Sequence, residues 1–199
     1  MYPSDPCLFA PVGDSISMWT GTPNKWTVYA PDAHLVREGG WAGSGAHLDD
    51  MAAGVEPYDA DVLVLMGGTN DVRDSGGADM TDCLETVADI IEGADVAKVI
   101  ISAIPPNDPH PAWAAAWNLL LLDYADVNGY TFTDPWADWR TISGTWAASR
   151  GMDDGIHPQE QVSRWAGHRL RRTIGLLHSE GFDLPVWLSS PFSWIGVSS

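Results

Sequence analysis

The run DVLVLMGG at residues 61–68 constrains the fold more than any other stretch of this chain. It is apolar at every position from Val62 to Met66. A strand with one wet face alternates apolar and polar residues, whereas a strand covered on both faces need not. Such strands belong to parallel sheets with helices packed above and below. KVIISAI at 98–104 has the same character and is ended by Pro105-Pro106. Between the two, Met80, Leu84, Val87, Ala88 and Ile91 recur at helical spacing, which predicts an amphipathic helix over 80–92.

The same alternation extends in both directions. A helix is expected from about Pro111 to Ala125, then a short strand, YTFT, at 130–133. The last long helix should start near Pro158, a favoured first-turn residue, and end at Gly181, a favoured cap. Val162, Ala166, Leu170, Ile174 and Leu177 stripe it, and its arginines and His178 fall mainly in its later half, where the helix dipole favours cations. Upstream, LFAPVG (8–13) and HLVRE (34–38) read as strands, with a short helix near WTVYA. Pro11 is out of place in a central strand, because proline cannot donate to a ladder. Strands alternating with helices, without hairpins, imply an α/β fold with a mostly parallel sheet and helices on both faces. The 199 residues suit one domain over 1–199, with a core at about 8–180 and an apolar tail at 182–199.

Charge narrows the partners. The formal net charge is -17, with only ten lysines and arginines. Such a field repels nucleic acid and anionic membranes, and it disfavours polyanionic substrates. No apolar run is long enough to span a bilayer, and the N-terminus lacks the pattern of a secretory signal. The expected setting is therefore cytoplasmic or within a larger assembly. Cys7 and Cys83 are too few for a disulfide framework and lack metal-site spacing, leaving one bridge or two buried thiols. The tail PVWLSSPFSWIGVSS is expected to pack on the body or on a second copy, making a homo-oligomer.

In parallel α/β sheets, sites form at the carboxyl ends of the strands. Gly13-Asp14-Ser15 follows the first strand and Gly39-Gly40-Trp41-Ala42-Gly43 the second. Gly67-Gly68-Thr69-Asn70-Asp71 follows the third, and Asp154-Gly155-Ile156-His157-Pro158 precedes the final helix. All four would meet on one edge, bringing Ser, Gly, Asn, Asp and His together. Gly-Asp-Ser alone is ordinary turn and N-cap chemistry. Asp14 and Asp71 read as scaffold, hydrogen-bonding loop backbone.

The ordered set GDS, glycine loop, GGTND and DGIHP resembles the SGNH hydrolases, also called GDSL esterases and lipases, over residues 8 to about 180. The resemblance implies a three-layer α/β/α sandwich with a mostly parallel, flavodoxin-like central sheet, and a serine esterase without cofactor or metal. On this reading Ser15 is the nucleophile and His157 the base that takes its proton and later protonates the leaving alcohol. Asp154 orients the imidazole, the three-residue spacing to His157 favouring it over Asp153. The resemblance also suggests three donors for the oxyanion: the backbone N–H of Ser15, the backbone N–H of Gly43 and the Asn70 amide. Gly40 and Gly45 stay open as alternatives to Gly43.

Eleven tryptophans are a heavy load, and Trp113, Trp117, Trp136, Trp139 and Trp146 crowd one segment. Trp19, Trp113, Trp136 and Trp139 are candidates to hold a sugar ring or an acyl chain, with core packing as the rival role. The expected substrate is a neutral small-molecule or glycan ester, either short-chain acyl or acetylated carbohydrate. A carbohydrate- or partner-binding module without catalysis is the alternative, as is a lipase or thioesterase of the same family. A metal-dependent phosphoesterase is disfavoured by the lack of clustered histidines. His47, Asp49 and Asp50 could suggest a metal site but read better as a solvated helix start.

Overall fold

The computed structural model describes residues 6–21 and 23–179. Its centre is a sheet of six strands: β1 (Cys7–Gly13), β2 (Leu35–Arg37), β3 (Trp41–Ala42), β4 (Val62–Met66), β5 (Lys98–Ser102) and β6 (Thr131–Thr133). The order is β2-β1-β4-β5-β6, with β3 also pairing β1, and every pairing is parallel. With β2 and β3 sharing one edge of β1, this is the flavodoxin-like order. The chain reverses direction across the sheet between β1 and β4. Their carboxyl ends carry Asp14-Ser15 and Gly67-Gly68-Thr69-Asn70, so both motifs open at the switch point.

Helices α1 (Leu48–Gly54), α2 (Thr69–Asp74), α3 (Cys83–Ala94), α4 (Pro111–Asn128) and α5 (Glu160–His178) complete the fold. Alternation along the strands divides the core in two. Ala10, Val12, Leu63, Leu65, Val99 and Ile101 meet Leu48, Met51, Val87, Ile90, Trp117 and Leu121 of α1, α3 and α4. Phe9, Val62, Val64, Met66 and Ile100 face the other way, onto Val162, Ala166, Leu170 and Ile174 of α5 with Trp26, Trp136 and Trp146. Among the described residues, no helix is long and apolar enough to cross a membrane.

Pro11 is accommodated by a gap in the ladder. Phe9 accepts from Glu38 N at 2.8 Å and Gly13 from Gly43 N at 3.3 Å, so by alternation Pro11 faces the same edge. There β2 has ended and β3 has not begun. Gly40, at φ +96°, lies against the proline, and an added Cβ would sit 2.7 Å from Pro11 Cδ. Two glycines at positive φ carry the edge strand around a ring that has no N–H to offer.

Several expectations need correction. The N-cap reading of Gly-Asp-Ser fails, because residues 14–17 form a single turn closed by Ser17 N donating to Asp14 O at 3.0 Å. The final helix begins at Glu160, because Pro158 is drawn into an isolated bridge with Gly151. Its expected end at Gly181 and the apolar tail lie outside the described residues. α4 runs three residues beyond Ala125, to a left-handed cap at Gly129, and a small antiparallel turn joins Arg140 to Trp146. Helices α1 and α2 and strand β3 are too short to show a period. Cys7 and Cys83 are both free thiols.

Candidate active site

Ser15, His157 and Asp154 come together although 142 residues separate the first two. Ser15 Oγ lies 2.8 Å from His157 Nε2. His157 Nδ1 lies 2.6 Å from Asp154 Oδ2. The other carboxylate oxygen, Oδ1, accepts the backbone N–H groups of Ile156 and His157, each at 2.9 Å. One carboxylate thus fixes both the imidazole and the loop that carries it. Asp153 is exposed and plays no part in this chain of contacts.

The loop is built for that geometry. Gly155 stands at φ +68°, and an added Cβ would lie 2.8 Å from Asp108 Cβ. Asp108 N donates to Gly155 O at 2.9 Å, so the loop after β5 buttresses the histidine loop. Met152 N donates to His157 O at 2.7 Å, closing the turn from the other side. Partial burial would raise the Asp154 carboxyl. The Ile156 N–H, the imidazole and the His157 N–H outweigh it and hold the group below the usual carboxylate range. It therefore stays ionised opposite the imidazole.

Gly13 explains why the residue before Asp14-Ser15 is small. An added Cβ would sit 2.4 Å from Met66 O and 2.5 Å from Ser17 Oγ. Ser17 Oγ in turn accepts from Trp26 Nε1 at 3.0 Å, locking the turn beneath the nucleophile position.

Asp14 is wholly buried. Its Oδ1 accepts Ile16 N–H at 2.9 Å, the scaffold role expected of it. Oδ2 is near enough to the Thr69 hydroxyl to feel it, yet neither atom meets hydrogen-bond geometry. Burial pushes the Asp14 carboxyl up, against the Ile16 N–H, the Thr69 hydroxyl and the charges of His157 and Lys25. A carboxyl raised on folding contributes stability that is complete below its unfolded value, near 3.8, and is lost as pH rises through the folded one. The stability of Asp14→Asn relative to wild type should therefore rise between pH 4 and pH 7, measured by urea unfolding at several pH values. A difference that does not change with pH would contradict this.

Asn70 lies in the first turn of α2, which opens at Gly68, φ +99°. Its side chain is buried, and Nδ2 donates to Ala46 O at 2.8 Å. An amide carries a second N–H. Trp117 supports this loop from below, donating from Nε1 to Gly67 O at 3.0 Å. Gly43 is half-buried at the end of β3, and its N–H points to Gly13 O at the long distance of 3.3 Å. Of the alternatives, Gly40 is committed to Pro11, and Gly45, at φ +71°, has open space beside it. Asp71 accepts from Leu48 N, again as scaffold.

The aromatic candidates divide. Trp136 is fully buried, donates to Ala103 O at 3.0 Å and meets Trp146 edge-on at 6.1 Å. It is a core residue and cannot be a substrate platform, which corrects the expectation for it. Trp117 and Trp146 are core as well. Trp19 is half-buried under the Arg37 guanidinium, 4.3 Å from the ring centre. Trp113 stacks on His110 at 4.3 Å, and Trp139 faces Arg150 at 5.2 Å. These three keep partly exposed surface.

Sequence reasoning missed Lys25. It is buried, and burial lowers its amine against the pull of the Asp14 and Asp154 carboxylates. A lone lysine reads as surface, so nothing in the sequence signalled it. Among the described residues one group could offer three metal ligands, namely Cys7, Asp61 and His178, whose ligand atoms lie within 4.8 Å of one another. Tetrahedral zinc with bonds of about 2.0–2.3 Å keeps its ligands within about 3.8 Å, so the set is not preformed. Burial and the Asp61 carboxylate push the Cys7 thiol up to about 12. This cluster sits at the opposite end of β1 from Ser15, roughly 20 Å away along the strand.

With this geometry in hand, likeness to known proteins becomes informative. No curated protein matches the chain. Solved structures that share the fold include an acetylxylan esterase from Geobacillus stearothermophilus, in a catalytic mutant form, at 17% identity and a TM-score of 0.68, covering 88% of this chain and 97% of that one. A GDSL-like lipase from Bacteroides thetaiotaomicron is 17% identical at a TM-score of 0.65, covering 84% and 87%. A lipolytic protein of the G-D-S-L family from Veillonella parvula is 19% identical at a TM-score of 0.64, covering 83% and 97%. The sequence model of the GDSL-like lipase/acylhydrolase family matches residues 12–165, from the end of β1 into α5. The chain belongs to the GDSL-like lipase/acylhydrolase family, a family of hydrolases on a parallel α/β fold.

Proposed function

We propose that this hydrolase is a serine esterase that cleaves neutral carboxylic esters, short-chain acyl or acetylated carbohydrate, through an acyl-enzyme. The observation that carries the reading is the unbroken relay from Ser15 Oγ through His157 to Asp154, at 2.8 and 2.6 Å. Ser15 Oγ attacks the ester carbonyl carbon as His157 Nε2 takes its proton. Asp154 holds Nδ1–H and stabilises the imidazolium. The carbonyl oxygen becomes an oxyanion, met by the N–H of Ser15 and the second N–H of Asn70, and by the Gly43 N–H once that leaves Gly13 O, to which it donates at 3.3 Å. Collapse breaks the bond to the alcohol oxygen, which leaves with the proton from His157. Water, deprotonated by the same imidazole, then releases the acid and restores Ser15.

The acyl chain is placed at the short end because large aromatics such as Trp117 and Trp136 are spent on the core. The net charge of -17 disfavours anionic substrates. The likeness to an acetylxylan esterase supports acetylated carbohydrate. The test is hydrolysis of p-nitrophenyl esters from acetate to octanoate, and of acetylated xylo-oligosaccharides, with and without chelator. Expected is turnover that is fastest on acetyl esters and indifferent to chelator. No turnover of any ester would favour a binding module, and loss with chelator would overturn the serine mechanism.

A second prediction concerns the oxyanion. Asn70→Ala should lower kcat by about 100- to 1,000-fold with KM changed by less than about threefold. A rise in KM at constant kcat would assign the amide to ground-state binding instead.

A further inference from the structure

The turn His47-Leu48-Asp49-Asp50 is a charged motif that the reaction leaves unused. We propose that His47 is a positioning residue, clasping the glycine loop to α2 so that the Asn70 amide keeps its aim. This inference rests on the esterase reading above.

The two segments carry different parts of the oxyanion site. The loop from Gly43 to His47 holds Ala46 O, which aims the Asn70 amide, and α2 holds Asn70 itself. Each segment is short. α2 has only six residues. The loop contains Gly45 at φ +71° with nothing within 4 Å of its would-be side chain. Both are anchored to β1 through β3 and β4, and contacts between them set their fine placement.

Those contacts fall on consecutive residues. Ala46 O accepts from Asn70 Nδ2 at 2.8 Å, which directly aims the amide. Leu48 N donates to both oxygens of Asp71 at 3.3 Å. His47 lies between these two ties in sequence and adds the longest reach. Its Nδ1 is 3.5 Å from Asp71 Oδ1, and its Nε2 is 3.2 Å from Asp74 Oδ2. The imidazole thus lies against two carboxylates a helical turn apart on α2, while the same side chain takes part in the capping box that opens α1. Ala46, whose carbonyl aims Asn70, is fixed on one side by its own N–H to Gly43 O at 3.3 Å and on the other by the His47 bridge.

The surrounding charges are all engaged. Asp50 accepts the His47 backbone N–H at 2.9 Å, and Asp49 reaches the Thr86 hydroxyl at 3.4 Å. Arg73 holds Asp74 at 2.6 and 2.8 Å, which keeps that carboxylate turned toward the bridge. Removing the imidazole leaves Ala46 O and Asn70 Nδ2 tied to each other but frees the pair to shift relative to Ser15.

The test compares His47→Ala, His47→Gln and Asp74→Ala with wild type on p-nitrophenyl acetate, normalised to active sites titrated with diethyl p-nitrophenyl phosphate. His47→Ala should lose about 10- to 100-fold in kcat, part of the value of one oxyanion donor, with KM within about threefold. His47→Gln, which keeps one side-chain donor, should recover part of that loss, and Asp74→Ala should lose less than His47→Ala. Inhibition by an alkyl boronic acid, whose tetrahedral adduct mimics the oxyanion, should weaken in step with kcat, a change that mere loss of folded protein would not cause. A kcat per active site within twofold of wild type in His47→Ala would overturn the proposal. Amide hydrogen exchange over residues 43–48 reads the clasp independently of turnover. It should quicken in His47→Ala, and unchanged exchange would overturn the clasp whether or not the wild type hydrolyses esters. A wild type without Ser15-dependent turnover, but with exchange that depends on His47, would instead sink the esterase reading alone.

Discussion

Ser15→Ala is expected to lower ester hydrolysis by at least about a thousandfold while leaving the melting temperature within a few degrees of wild type. The hydroxyl makes a single contact of consequence, to His157 Nε2 at 2.8 Å, and supplies no core packing. The turn is held by other atoms: Ser17 N on Asp14 O, Ile16 N on Asp14 Oδ1, and Trp26 Nε1 on Ser17 Oγ. Alanine keeps all of these, so activity and stability should separate. Residual turnover well above background would be expected only if the oxyanion donors assist direct attack by water. Equal activity in variant and wild type would remove Ser15 from the chemistry, whatever the geometry of the relay.

Trp136→Ala should do the reverse, costing about 3–5 kcal/mol of stability. That is a large share of the roughly 5–15 kcal/mol expected for a domain of this kind. The indole has no exposed surface and lies edge-on to Trp146 at 6.1 Å. Its removal opens a cavity and takes from the Ala103 carbonyl, which it meets at 3.0 Å, one of two donors, the Ser102 hydroxyl at 3.1 Å being the other. Trp136→Phe restores most of the volume but not the N–H, and should cost about 1–3 kcal/mol. Urea unfolding at neutral pH measures both. A sugar platform would behave otherwise, with KM raised and stability nearly untouched, and that result would return Trp136 to the substrate site.

The contrast between these residues shows what was legible in the sequence. Val62–Met66 and the Val99–Ile101 centre of the second long strand could be read as buried parallel strands because every side chain there is apolar. The four blocks at the carboxyl edge could be read from their combination and order, since Gly-Asp-Ser alone is ordinary turn chemistry. Depth was not legible. Trp113 and Trp136 are the same residue type in similar surroundings of sequence, yet one stacks on His110 at the surface and the other fills the core. A tryptophan satisfies its N–H equally well on a carbonyl or in water, so its identity does not report its position. Lys25 escaped notice for the converse reason, since burial depends on Asp14 and Asp154 arriving from distant segments. Pro11 looked like an error in a central strand until the break between β2 and β3 gave it an edge without a hydrogen bond to make. The joint between the glycine loop and α2 was also hidden. His47 and Asp74 lie 27 residues apart, and only the parallel order of β1 and β4 places them side by side.

The central claim is that Ser15 becomes covalently acylated through His157. Diethyl p-nitrophenyl phosphate forms a stable phosphoryl adduct with a serine activated in this way, and intact mass followed by peptide mapping locates it. One adduct per chain is expected, on Ser15, formed in wild type and slowed by at least about a hundredfold in His157→Ala. An adduct on another residue, or none in protein that still hydrolyses p-nitrophenyl acetate, would contradict it.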